Sequence, residues 1–392
     1  MRVLISGGGI AGLTLAYWLR HYNISSVMIE KAEDLRREGY AIDFLGTGYD
    51  VAERMSLIDR LRSQQIPFET LVYVNKAGKL IARLDANLLR SITVGKYMGL
   101  LHATLEEALY EALGGQVEVR FGRWLLAIEP GPDAVYVTFN DGTTESFDLL
   151  IGADGVHSST RTLVYGPEEQ FSRSLGYTIG HTFKMYVEPG RLAAAYCTPQ
   201  VDDILTFFTH QTTRQEHLPR EQRLARLREV FAGMGWLTQQ FLSDVSPSAS
   251  VFMDAVIQIQ MPSWHHSRVV LVGDACDCPT LLSGQGAPLV MGGAYLLAKA
   301  LHDTADYQEA FRRYEQQMSA YVRAQQKSAR GTAKSFLPGS PLGLFVQHTM
   351  MKVLFRPAFR GLLRRQFVAE SLLSPRDTSP AQHTIQQERL SL

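Results

Sequence analysis

Arg2-Val3-Leu4-Ile5-Ser6-Gly7-Gly8-Gly9-Ile10-Ala11-Gly12 opens the chain, and a helical stretch then leads into Val27-Met28-Ile29-Glu30. Residues 3–5 form a continuous apolar run, the pattern of a strand buried on both faces in a parallel sheet. In residues 13–20 the apolar positions Leu13, Ala16, Tyr17 and Leu19 recur at helical spacing. Strand, glycine turn, helix, strand and acid, in that order, spell a dinucleotide-binding unit. Gly7 releases the chain from the strand into a tight turn, Gly9 lets the backbone approach a pyrophosphate, and Gly12 lets helix and strand pack closely. The helix start at Ile10 and Ala11 presents free N–H groups to phosphate, and Glu30 stands where an acid takes a ribose hydroxyl pair.

Working outward, two further stretches repeat the pattern of a buried strand that ends in a glycine-flanked acid. Asp148-Leu149-Leu150-Ile151-Gly152-Ala153-Asp154-Gly155-Val156-His157-Ser158-Ser159-Thr160-Arg161 is the first, with Ser158 placed to cap a helix. Arg268-Val269-Val270-Leu271-Val272-Gly273-Asp274-Ala275 is the second, followed by Ser283-Gly284-Gln285-Gly286-Ala287 and a helical run over 289–301. Both acids fall at carboxyl ends of strands, the side of an open α/β sheet where ligands bind.

These three motifs, in this order, resemble those of the para-hydroxybenzoate hydroxylase-like flavoprotein monooxygenases, a group that includes tetracycline-inactivating and polyketide-tailoring enzymes. The resemblance spans about residues 1–325. It implies FAD as cofactor, with its pyrophosphate on the glycine turn, its adenosine ribose on Glu30, and its ribityl or pyrophosphate portion against Asp274. It implies that the segment around Asp154 serves both FAD and NADPH (or NADH), since the group carries no second glycine fingerprint and none occurs here. Gly284, Gly286 and Ala287 belong to the same motif, and the stretch from Gly39 through Asp43 to Gly48 resembles the loop beside the flavin. The implied reaction is hydroxylation of an aromatic or polyketide-like small molecule. Molecular oxygen adds at the flavin C4a carbon, and the distal oxygen of the hydroperoxide passes to an electron-rich ring or enol. No nucleophilic residue is required, and no catalytic residue is assigned.

Some positions depart from the group's pattern. His102 occupies the place of a helix arginine that contacts the FAD phosphates, and it offers a hydrogen bond without a permanently charged fork. Lys31 is a point charge where arginine is usual. Asp277, Leu281 and Pro288 replace the histidine, proline and asparagine common near the flavin ring. Two readings follow: a hydroxylase subfamily with its own ring-side solution, or a cyclase-like or pericyclase-like tailoring enzyme on the same scaffold with an altered redox role. A flavin-dependent reductase is a third. A halogenase reading fails on its tryptophan-x-tryptophan-x-isoleucine-proline segment, because Trp264 and the other tryptophans stand alone.

The fold expected is α/β. A Rossmann-like FAD domain over 1–66, 98–170 and 265–325 interleaves with a mostly antiparallel β-sheet substrate domain over 67–97 and 171–264. C-terminal helices over 326–373 and a disordered tail over 374–392 complete the chain, and the helical run 312–327 would bridge the lobes. Two lobes suit 392 residues, since single cores stop growing near about 250–300. Phe183, Tyr196, Phe207 and Phe208 are candidates for an aromatic substrate pocket or for core. His181, His210, Asp43 and Asp277 are candidate proton carriers.

Lys plus Arg and Asp plus Glu balance at 39 each, which argues against a nucleic-acid partner. Cys197, Cys276 and Cys278 make neither a disulfide framework nor a zinc site, so no metal is expected. With a strand starting at Arg2 no signal peptide is expected, no transmembrane segment is foreseen, and the protein is expected to be cytoplasmic. Residues 336–367 are rich in Phe, Leu and Met, with Lys352, Arg356, Arg360, Arg364 and Arg365 interspersed. They read either as a helix packed across both lobes or as a basic amphipathic helix on a membrane surface.

Overall fold

The computed structural model describes residues 1–35, 41–66, 70–85, 93, 95–178, 184–198, 201–212, 218–245, 251, 253, 255–279, 286–356, 359 and 371–373. Gly39, His181, Phe183, Leu281, Gly284 and the tail 374–392 lie outside these residues.

The apolar run that opens the sequence becomes the strand Arg2–Ser6, with Val3, Leu4 and Ile5 fully buried. It sits inside a six-stranded sheet, where its neighbours are Ser25–Glu30 on one side and Leu149–Gly152 on the other, both parallel to it. Val269–Leu271 extends the sheet beyond Leu149–Gly152, His265–His266 closes that edge antiparallel, and Glu118–Phe121 closes the other edge. Strand order therefore reverses at Arg2–Ser6. A crevice opens at the carboxyl ends of the strands flanking such a switch point.

Side-chain alternation along the strands divides the two faces. Val3, Ile5, Met28, Leu149, Ile151 and Val270 enter the main core with the helices Ile10–His21 and Gly286–Asp303. Leu4, Val27, Ile29, Leu150 and Val269 point the other way, against Leu125, Val135, Val137, Phe139 and Phe147 of a three-stranded antiparallel meander. A parallel sheet covered on both faces needs this continuous apolar character, which is why the opening stretch lacks alternation in polarity.

A second sheet has the order Val201–His210, Arg191–Thr198, Lys184–Glu188, Thr70–Val74, Leu80–Asp85. Its pairings are antiparallel except between Lys184–Glu188 and Thr70–Val74. Tyr73, Met185, Val187, Leu192, Ala194 and Phe207 face the helix Pro341–Leu354, which packs on this sheet. Val74, Tyr186, Ala193 and Phe208 face the opposite way, against Leu227, Phe231 and Leu242 of the helical segment beneath.

The long helix Tyr307–Phe336 runs from the first core to the outlying strand Ala255–Ile259. Tyr314 and Met318 are buried in the first core, and farther along Gln326 donates to the Ile259 carbonyl (2.8 Å) while its own carbonyl accepts from Gln258 (2.9 Å). The C-terminal segment touches both regions: the helix Pro341–Leu354 lies on the second sheet, and Leu372 N donates to Thr47 Oγ1 at 3.0 Å.

Pro288, one of the ring-side departures, is buried in the first turns of Gly286–Asp303, directly against Gly48. A Cβ on Gly48 would stand 2.6 Å from the Pro288 Cα, a backbone atom that cannot rotate away. Gly48→Ala is accordingly expected to cost about 2 kcal/mol in urea unfolding. A Pro288→Ala second change should not restore it, because the clash is with the main chain; full recovery in the double variant would refute this packing.

Candidate active site

Each of the three motif turns leaves the carboxyl end of a strand, and close backbone approach welds them together. Gly7 adopts φ +115°, and a side chain there would stand 2.4 Å from the Ala153 carbonyl and 2.8 Å from the Asp154 Cα. Gly273, at φ +66°, is packed between Val290 of the Gly286–Asp303 helix and Ala11 of the Ile10–His21 helix. A Cβ on Gly12 would meet the Gly7 carbonyl at 1.9 Å. Residues separated by more than a hundred positions thus share one crevice, and two helices begin at it.

The space at the turn is that of a cradle. Among the described residues, a Cβ built on Gly9 would meet only the Glu106 Oε1, at 3.4 Å, and one built on Gly286 would meet nothing within 4 Å. The N–H groups of the first helical turns have no intrahelical partner. Together with the helix dipole, those at Gly9, Ile10 and Ala11, and a second donor set at Gly286 and Ala287, suit an anionic group. Glu30 ends its strand beside the turn, accepting from Gly8 N and Ala32 N, each at 2.8 Å. Lys31 lies apart, its ammonium 5.8 Å from the Trp124 ring centroid.

Asp274 lies at the crevice with its Oδ1 buried and, among the described residues, without a hydrogen-bond partner. Burial raises its pKa, opposed by a hydrogen bond with the Cys278 side chain and by nearby His102. A polyol hydroxyl would supply the missing partner, so the donor and acceptor set fits a dinucleotide carrying a ribityl chain. His102 begins the helix His102–Ala112, directly after the ribbon strand Tyr97–Leu101. Its Nδ1 is 3.6 Å from Glu106 Oε2, four residues on and almost fully buried. Asp43 sits on the paired ribbon strand opposite Gly99 and accepts from the Tyr97 hydroxyl at 2.8 Å. Solvent reaches Asp43, yet protein surrounds it closely enough that desolvation raises its pKa, opposed by the Tyr97 bond.

Asp154 accepts from Ser159 Oγ (2.9 Å), Thr160 N (2.8 Å), Thr160 Oγ1 (3.0 Å) and, closer still, Ser158 Oγ. Its side chain therefore organises the loop, while its main chain abuts Gly7. Ser158 caps the helix Ser159–Tyr165 as its position in the sequence implied, accepting from Arg161 N at 2.9 Å.

Two residues escaped the sequence reading. Glu106 shares a helix face with His102 at the i, i+4 spacing, and that spacing was the available signal. Arg161 ends the motif that begins at Asp148, and nothing in that motif gave it a role. It is fully buried and ties the loops together, donating to the carbonyls of Val156 (2.8 Å) and Ala275 (2.9 Å) and to Glu168 Oε2 (2.8 Å). Other candidates fall to the core. Phe207 and Phe208 are buried on opposite faces of the second sheet, and His210 is buried edge-on to Phe231. The side chain of Tyr196 lies outside the described residues. Cys276 and Cys278 are buried and in no disulfide, and no metal-ligand cluster occurs among the described residues.

Asp277 closes the short helix that begins at Asp274, buried to 1% exposure with neither oxygen hydrogen-bonded among the described residues. Burial, with the Asp274 carboxyl beside it, pushes its pKa well above the ordinary 3.8. Folded protein thus keeps this proton over a range where the unfolded chain has lost it. Stability therefore falls as pH rises above about 4, at up to about 1.4 kcal/mol per unit, until the folded pKa is passed. Asp277→Asn should flatten this component. Relative to the wild type it should gain stability progressively as pH rises above about 4 in urea unfolding, and parallel pH profiles would contradict a raised Asp277 pKa.

Comparison with known proteins agrees with the geometry. The profile of the family described as FAD binding domain matches residues 1–328. A flavin-dependent monooxygenase from an unknown prokaryotic organism is 31% identical over 351 residues, covering 86% of this chain and 90% of its own. Another from Legionella longbeachae is 30% identical over 351 residues, with the same coverage. The crystal structure of the tetracycline destructase Tet(55) superposes with a TM-score of 0.81 at 27% identity, covering 95% of this chain and 98% of its own.

Proposed function

The chain belongs to the FAD binding domain family, as an FAD-dependent monooxygenase, and from that premise we propose that it uses NADPH or NADH to hydroxylate an aromatic or polyketide-like small molecule. The observation that carries this reading is the buried, unpartnered Asp274 Oδ1 in a crevice built by all three motif turns. Bound flavin supplies the electron transfer and oxygen activation.

The chain's own residues bind and orient. The N–H groups at Gly9, Ile10 and Ala11, with the helix dipole behind them, hold the pyrophosphate. Gly7 and Gly12 shape the turn, and Glu30 accepts from the adenosine ribose. Asp274 accepts from the ribityl chain, and Gly286 and Ala287, with Gly284 before them, donate main-chain N–H groups. His102, oriented by Glu106, donates to a phosphate oxygen, and Lys31 adds positive potential from a distance. Asp43, steadied by Tyr97, lines the cleft. The Asp154 loop serves cofactor and nicotinamide through its main chain. Residues 1–66, 98–170 and 265–325 form the FAD domain, and 67–97 and 171–264 form the substrate domain; the distribution of strands between the two main sheets supports this division. Among the described residues no helix is long and apolar enough to cross a membrane. We place the protein in the cytoplasm.

Anaerobic mixing with NADPH or NADH, with and without a panel of phenols and polyketides, tests the reading. Expected are bleaching of the flavin absorbance and, on admitting air, incorporation of one oxygen atom into an accepted substrate. A flavin that never bleaches would favour the cyclase-like reading. Bleaching followed by oxygen-independent turnover would favour a reductase.

A further inference from the structure

Six of the fourteen exposed large apolar side chains among the described residues fall between positions 342 and 359. Five of them, Leu342 (74% exposed), Phe345 (68%), Val346, Met350 and Val353, lie on the helix Pro341–Leu354. Their spacing of three and four puts them on one face, with Thr349 among them. The opposite face, through Leu344, Met351 and Phe355, packs on the second sheet and satisfies the helix's tertiary role. The outer stripe therefore contributes nothing to the described fold.

Charge is segregated at the same place. Between Glu315 and Glu370 the sequence has nine Lys or Arg residues and no Asp or Glu, although the whole chain is neutral. Lys352, two helical turns after Phe345, and Arg356, just past the end of the helix, are both exposed, and Lys352 borders the apolar stripe. Arg83, on the edge strand Leu80–Asp85, lines the adjoining groove with them.

We propose that the outer face of Pro341–Leu354 docks the protein on the surface of an anionic phospholipid bilayer. An apolar stripe one helix wide, flanked by cations and lacking acids, can enter the headgroup boundary while Lys352 and Arg356 meet lipid phosphates. A symmetric pair of such helices would set one acid-free cationic surface against another, which charge complementarity disfavours. No long apolar helix is required, and the contact is peripheral and reversible.

The test is co-sedimentation of the full-length flavin-loaded protein with vesicles of phosphatidylcholine alone, or of phosphatidylcholine and phosphatidylglycerol in equal parts. Binding to the anionic vesicles should be stronger by about tenfold or more and should weaken with added salt. The double variant Phe345→Asp, Met350→Asp should lose it by a similar factor with unchanged flavin content, since both side chains already face solvent. A Phe345→Trp probe provides an independent readout, its emission shifting to the blue with anionic vesicles only. Equal or absent binding to the two vesicle types overturns the proposal. So does a dimer in lipid-free sedimentation that the double variant converts to monomer, an outcome that assigns the face to a second copy.

Discussion

Gly12→Ala is expected to cost the protein its flavin and part of its stability, whereas Gly9→Val should cost the flavin alone. The difference lies in what each new side chain meets. At Gly12 the added Cβ would stand 1.9 Å from the Gly7 carbonyl and 3.3 Å from Ile5 Cγ2, so the turn must open to admit it. Main-chain atoms cannot relax by rotamer change, and a loss of about 3 kcal/mol in urea unfolding is anticipated, at the upper end for overpacking. Gly9 has φ −80° and ψ −171°, extended backbone that any residue adopts, and among the described residues open space beyond its Cα apart from Glu106. Valine there fills the volume a pyrophosphate would take, leaving the circular dichroism spectrum intact while FAD binds about 100-fold more weakly, roughly 2.7 kcal/mol. Flavin retained at full stoichiometry in Gly9→Val would place the pyrophosphate elsewhere.

Arg161→Ala carries the largest expected effect on folding. The guanidinium is fully buried and is shared by three acceptors, the Val156 and Ala275 carbonyls and the Glu168 carboxylate. Truncation strands these acceptors and leaves a cavity, a combination expected to cost about 3–5 kcal/mol. Because Val156 lies two residues beyond Asp154 and Ala275 directly follows Asp274, both acid loops should loosen and FAD affinity should fall as well. Arg161→Met separates the contributions. Methionine restores much of the volume without a donor, so most of the loss should persist if the hydrogen bonds carry it. A midpoint near that of the wild type in the methionine variant would show that volume alone mattered.

The elements most legible in the sequence were those whose physics is local. Residues 3–5 announced a doubly buried strand because both faces of a parallel sheet are covered, and the structure places them at the centre of one. Ser158 announced its cap, because an N-cap bond reaches only to the third residue on. Less legible were contacts that depend on distant partners. Pro288 read as a departure near the flavin ring, and the structure explains it in part as a packing partner of Gly48. Phe207 and Phe208 read as possible pocket residues, but adjacent residues on a strand point to opposite faces, and both faces of this sheet are covered. Glu106 and Arg161 were in plain view and carried no motif weight. Their importance comes from the Gly9 turn and the Asp274 loop, which are far away in the chain.

The sequence by itself determined the family, the cofactor class and the order of the three motif turns, because glycine turns, caps and apolar runs encode their geometry within a few residues. Only the tertiary structure decided that the three turns meet, that Arg161 locks two of them, that Asp277 is a buried acid without a partner, and that one helix presents apolar side chains on both of its faces. Each of those depends on burial and on atoms brought within a few ångströms by folding, and desolvation and close contact have no signature in the order of residues alone.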